Sequence, residues 1–137
     1  REAIEEVGGF DETLWAGEDA DLCWRVLNGG GTLVYVPEAV IRHAHRESFD
    51  GLFRQGVGYG AGTVDLAKRY PRLYVFPFRV DWLIYARLGI LPFDAIWNLL
   101  IKRHPAQKKW PLYEAIFLTG FVWGRWKQSR KNSMFFI

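Results

Sequence analysis

Apolar and polar positions alternate with a helical period in the first third of the chain. Residues 1–7, REAIEEV, read as a short helix that Gly8-Gly9 stops, and FDETLWAG follows as a loop. From Glu18 to about Asn28 the apolar residues Leu22, Cys23, Val26 and Leu27 fall at helical spacing. They predict a second helix, ended by Gly29-Gly30-Gly31. The period then changes. TLVYVP, residues 32–37, is β-branched and aromatic and reads as a strand closed by proline. AVIRHAH, residues 39–45, reads as a second short extended run with His43 and His45 on one side. Ser48 is placed to cap a helix running to about Tyr70. Gly56, Gly58, Gly60 and Gly62 lie inside it, each costing about 1 kcal/mol relative to alanine. Four such residues imply either a close approach of another backbone or a break in the helix.

Beyond Pro71 the chain becomes more apolar. Residues 73–101 are rich in aromatic and aliphatic side chains, interrupted by Arg79, Asp81, Arg87 and Asp94. Residues 110–124, WPLYEAIFLTGFVWG, carry one charge, Glu114. That run is shorter than the roughly 20 apolar residues needed to cross a bilayer. Basic residues flank it, with Lys102, Arg103, Lys108 and Lys109 before and Arg125, Lys127, Arg130 and Lys131 after. There is no internal repeat and no low-complexity tract.

Composition narrows the class. The 137 residues suffice for one domain with a core, and 50% hydrophobic with 17% aromatic content excludes a disordered chain. The single cysteine, Cys23, excludes an intrachain disulfide framework and fits a reducing compartment. The net charge of +3 hides an asymmetry. Residues 1–50 hold four basic and eleven acidic side chains, whereas residues 95–137 hold eight basic and one acidic. An acidic front suits a metal or a polar substrate, and a basic, aromatic back suits a polyanionic surface.

The acidic front is densest at GEDADLCWR, residues 17–25. Glu18, Asp19 and Asp21 occupy the first turn of the predicted helix, where the dipole favours negative charge. Asp21 and Arg25, four apart, are spaced to pair. A carboxylate at such a helix start is either a partner of the dipole alone or a general base for a substrate hydroxyl. His43 and His45 offer imidazoles, which suit either a metal ion or a polar strand edge; two ligands do not complete a site. Gly8-Gly9-Phe10-Asp11 lets the backbone approach a ligand closely. Trp15 and Trp24 suit either sugar stacking or core packing.

The order of these features is more specific than any one of them. EVGGFDETLWAGEDADLCWRVLNGG, then LVYVPEAVIRHAHRESF, then RQGVGYGAG resembles the C-terminal half of the catalytic domain of family-two glycosyltransferases, the inverting enzymes with a GT-A fold. The resemblance covers about residues 1–70. It implies an α/β fold: the C-terminal part of a Rossmann-like domain with short strands over residues 1–70, followed by an α-helical extension over residues 71–137. It implies that Asp19 deprotonates the acceptor hydroxyl, with Glu18 as its supporting neighbour. It places Gly9, Phe10, Asp11 and Trp15 on the acceptor side, and makes His43 a ligand of a divalent cation, Mg²⁺ or Mn²⁺, on the donor diphosphate. Asp21 and Arg25 are expected to hold the helix in place. The family's nucleotide- and metal-binding half, with its Asp-x-Asp motif, is expected upstream of Arg1. The chain is thus expected to be an incomplete, inactive fragment, with most of the cation's ligands in that upstream half. The partners implied are a nucleotide-sugar donor and a glycan or lipid-linked acceptor.

Residues 71–137 lie outside that resemblance. Short or charge-interrupted apolar segments, frequent Trp and Tyr, and flanking Lys and Arg predict helices lying on an anionic membrane surface. An ordinary helical appendage is the alternative. No nucleic-acid partner is expected, because the basic and aromatic residues match no base-reading motif. The location expected is cytoplasmic, peripheral at the inner face of the cell membrane. The competing function is a non-catalytic membrane-docking or scaffold module.

Overall fold

The computed structural model describes residues 1–44, 46, 48–72, 82–101 and 105–134. Among them are five helices: α1 (Glu2–Glu6), α2 (Glu18–Asn28), α3 (Phe49–Arg69), α4 (Trp82–Leu100) and α5 (Pro105–Lys131). The chain divides into two compact units, Arg1–His45 and Arg46–Ile137.

The expected α/β fold is not what forms. No strand occurs among the described residues, and hence no Rossmann-like sheet. Residues 32–37 and 39–44 run without regular structure, and His45 lies outside the described residues. The reason is physical. A β-branched, aromatic segment becomes a strand only when a neighbour supplies the ladder and a face to bury. Here Val34, Tyr35 and Ile41 remain 77%, 88% and 88% exposed. Among the described residues the backbone bonds of this segment are local, Ala39 N–H to the Val36 carbonyl at 3.0 Å and Val40 N–H to the Glu38 carbonyl at 2.9 Å.

In the first unit, two glycine closures fix the helix ends. Gly8 (φ 81°) and Gly30 (φ 86°) take the left-handed conformation that closes α1 and α2. The N–H of Gly9 then reaches the Ile4 carbonyl at 2.9 Å, and that of Gly31 the Val26 carbonyl at 2.9 Å. Both are six-to-one Schellman closures, which satisfy carbonyls that a helix end leaves unbonded. The bounds of α2 are those the apolar stripe predicts, and Leu22 and Val26 are its buried side chains on that stripe.

In the second unit, the Ser48 hydroxyl accepts from the Gly51 N–H at 3.1 Å, capping α3 as expected. The glycines of α3 do not break it. Gly56 and Gly60 face Gly120 and Gly124 of α5. A Cβ on Gly56 or Gly60 would strike the Phe117 or Phe121 carbonyl oxygen, and one on Gly120 or Gly124 the Phe53 or Val57 carbonyl oxygen. The two helices run parallel. Phe49 meets Tyr113 with ring centroids 5.5 Å apart, and Gln128 donates to Asp65 at 2.6 Å further along. The Lys68 ammonium donates to Asn132 Oδ1 at 2.9 Å at the far end. Two glycine pairs four residues apart let backbones approach to a distance that any side chain forbids.

α4 returns antiparallel along the first half of α5, joined to it by a charge triad. The Arg87 guanidinium donates to both Glu114 oxygens, at 2.6 and 2.8 Å, and to Asp94 Oδ2 at 2.6 Å. The hydrogen bonds from Arg87 hold the Glu114 carboxyl below its ordinary value of 4.5, against the opposing effect of burial. A depressed carboxyl stabilises the fold above its unfolded pKa, and that contribution is lost as pH falls through the folded value. Glu114→Gln is therefore expected to lower stability at neutral pH by about 1 kcal/mol. It should also flatten the stability loss of the parent below pH 4.5. Urea midpoints across the acid range measure both effects.

Candidate active site

The first unit gathers the residues to which the resemblance gave roles. The loop between α1 and α2 begins with Gly8 and Gly9, both at positive φ, and ends with Gly17, also left-handed at 86°. Gly17 occupies the N-cap of α2 without a side chain to cap it. The first-turn carboxylates therefore stand at an end of the helix where backbone N–H groups are exposed.

The three acids of that turn separate into two environments. Asp21 is fully buried. Its Oδ2 accepts from Arg25 Nε at 2.8 Å. Arg25 then spends its other nitrogens on the loop, with Nη1 donating to the Val7 carbonyl and Nη2 to the Gly9 carbonyl at 2.7 Å. Asp21 and Arg25 thus form a clamp that ties the Gly8-Gly9 turn to α2. Sequence reasoning placed this pair in a holding role. It did not find the two carbonyls, for which the only signal was a glycine turn whose backbone oxygens need donors.

Glu18 and Asp19 point to solvent. Asp19 Oδ1 accepts from the Ala20 N–H at 2.7 Å, and its second oxygen carries no partner among the described residues. Glu18 makes no hydrogen bond among them. Asp11, expected on the acceptor side, shapes the loop: its Oδ1 accepts from the Thr13 N–H at 2.9 Å and from the Thr13 hydroxyl at 2.6 Å. Phe10 is 58% exposed and Trp15 is 86% exposed. An indole this open is an unusual surface residue and offers a flat apolar face to a ring.

His43 lies in the irregular segment after Pro37, exposed. No group of three or more His, Cys, Asp and Glu side chains that could hold a metal ion occurs among the described residues. His43 offers one ligand of the expected set, which these residues alone do not fit.

The family model for glycosyl transferase family group 2 matches residues 1–125, so the chain belongs to that family. The match extends past the segment on which the resemblance rests. Two relatives are named pre-mycofactocin glycosyltransferase, from Mycobacterium tuberculosis strains CDC 1551 and H37Rv. Each is 45% identical over 69 residues, which are 50% of this chain and 15% of the relative. An O-antigen chain rhamnosyltransferase from Salmonella typhimurium is 36% identical over 61 residues, 42% of this chain and 19% of the relative. The chain thus spans less than a fifth of the length of these relatives in the matched segments. No solved structure shows significant similarity to it.

Proposed function

We propose that this chain carries the acceptor-activating part of a glycosyltransferase that moves a sugar from a nucleotide-diphosphate sugar to a hydroxyl group with inversion. The Asp19 carboxylate takes the acceptor proton. The freed oxygen bonds to the anomeric carbon from the face opposite the nucleotide, and the bond from that carbon to the diphosphate breaks, its electrons leaving with the nucleotide. Glu18 beside it keeps the local charge negative, and Trp15 and Phe10 offer apolar faces to the acceptor's ring. Gly9 lets the loop pass close by, and Asp11 sets its shape. The acceptor proposed is a glycan or lipid-linked hydroxyl; the relative named for an O-antigen chain supports the glycan. The place of action proposed is the cytoplasmic side of the cell membrane.

The observation that supports this most directly is the division of labour within one helical turn. Asp21 is buried and engaged by Arg25, whereas Asp19 keeps an open oxygen at the helix start. Asp19→Asn tests it, in the protein that contains this chain, by following sugar transfer to a hydroxyl acceptor. The asparagine oxygen can still accept from the Ala20 N–H, so fold and donor binding should persist. Transfer is expected to fall about a hundredfold or more, the usual contribution of a general base. Transfer at the parent rate removes Asp19 from the mechanism and leaves the docking or scaffold reading.

A further inference from the structure

α4 is built inside out. Its polar side chains, Arg87, Asp94 and Asn98, share one stripe with Leu91, which is buried at 3% exposure, and this stripe faces α5. Every exposed residue of α4 is apolar or glycine. Trp82, Leu83, Phe93, Trp97 and Leu100 stand between 59% and 77% exposed along the outer side. A soluble helix puts its apolar stripe against its neighbour and its charges in water. Here the polar groups pair with each other and with α5 while the apolar stripe is left outside, which is the arrangement of a helix in contact with lipid.

We propose that the outer face of α4 is seated in the acyl-chain region of an anionic lipid bilayer. Three further observations single out lipid as the occupant. The helix is 19 residues long, about 28 Å, and only 6% of its apolar window is buried in the protein, which leaves an apolar face of that length to lie along the acyl chains. Trp82 and Trp97 stand towards its two ends and Trp110 follows at the start of α5, the residues that settle at the boundary between acyl chains and headgroups. Exposed Lys108 and Lys109 precede Trp110, supplying positive charge for anionic headgroups.

The contact is one-sided. Phe49 of α3 meets Tyr113, the neighbour of Glu114, in a tilted ring contact, and beside it Asp50 and Arg54 form a solvent-exposed ion pair at 2.9 Å. A bilayer enclosing the whole helical unit would bury that pair at the level of the charge triad, at high cost. α4 therefore lies in the membrane plane with its outer face sunk into lipid and its polar face covered by α5. This docking stands apart from glycosyl transfer and is tested without an activity assay.

The full chain is mixed with vesicles of phosphatidylethanolamine and phosphatidylglycerol and floated through a density step. It is expected to rise with the vesicles and to stay bound in molar salt, because acyl-chain contact is not screened. Bromine on the acyl chains should quench its tryptophan emission. Phe93→Glu with Ile96→Glu, both on the outer face, should lower vesicle binding roughly tenfold or more. The helical circular dichroism should be kept. Lys108→Glu with Lys109→Glu should weaken binding at low salt only. A chain that stays below the vesicles, that leaves them in molar salt, or whose emission is untouched by bromine overturns the proposal. So does a folded Phe93→Glu, Ile96→Glu variant that floats as the parent does, or a chain that self-associates through this face and ignores lipid.

Discussion

Gly60→Leu is expected to separate α3 from α5 and to cost about 3 kcal/mol or more of folding stability. The obstacle is backbone. A Cβ at Gly60 would overlap the Phe121 carbonyl and would lie 3.0 Å from the Arg125 amide nitrogen. A flexible side chain can swing away from an intruding methyl, but a helical carbonyl moves only with its helix. Overpacking in well-filled sites typically costs about 1–3 kcal/mol. An obstacle that cannot relax places this one at or above the upper end. Losing a glycine from a helix interior returns about 1 kcal/mol of helix propensity, which does not offset the clash. Gly89→Ala in α4 is the matched control. No atom lies within 4 Å of its would-be Cβ, so only the propensity gain applies. Urea unfolding followed by circular dichroism should move the two midpoints in opposite directions. A Gly60→Leu midpoint at or above that of the parent would mean that the helices do not meet on this seam.

Arg25→Ala is expected to destabilise the first unit by about 3 kcal/mol, as removal of one partner from a buried ion pair does. Asp21 has no exposed surface, and Arg25 is bonded to it at 2.8 Å. Truncating the arginine takes the guanidinium from a buried carboxylate and removes the donors of the Val7 and Gly9 carbonyls in one step. Arg25→Lys should recover only part of the loss, since an ammonium cannot span three acceptors with the fixed fork of a guanidinium. The double variant Asp21→Asn, Arg25→Ala should be less harmful than the arginine change alone, because an amide is cheaper to bury than a carboxylate that has lost its guanidinium. Hydrogen exchange at the amides of α2 reads these differences within the unit itself. Equal protection in parent and Arg25→Ala would show that the clamp carries no weight.

Much of the local structure was readable from residue order because local rules decided it. The extent of α2, the Ser48 cap and the glycine terminations depend on groups within six residues of one another. The Asp21–Arg25 pair was readable for the same reason. The misread strands depended on something distant. Thr32–Val36 carries the composition of a strand, but strand formation is decided by a neighbour that no local pattern reports. The α3 glycines announced a close approach without naming the approaching helix, which begins at Pro105. In α4 the sequence was misleading in a different way. Arg87 and Asp94 looked like interruptions of an apolar run, yet both lie on the stripe facing α5 and answer Glu114 and each other. Of the candidate site, the residue types at Asp19, Glu18 and Trp15 were legible. The split between an open Asp19 and a held Asp21 was expected from the resemblance and the Asp21–Arg25 spacing; the full burial of Asp21 was not.

The parallel course of α3 and α5 bears on how the chain acquires its fold. The α3 residues that pack on α5 wait for partners about sixty positions later, as Asp65 does for Gln128 and Lys68 for Asn132. Until then α3 is a glycine-rich segment with weak intrinsic helicity, emerging from the ribosome well before anything can pack on it. Closing so large a loop belongs late in the folding reaction, after neighbouring helices have formed. The α4–α5 hairpin, whose contacts are closer in sequence, is expected to form before α3 docks on it.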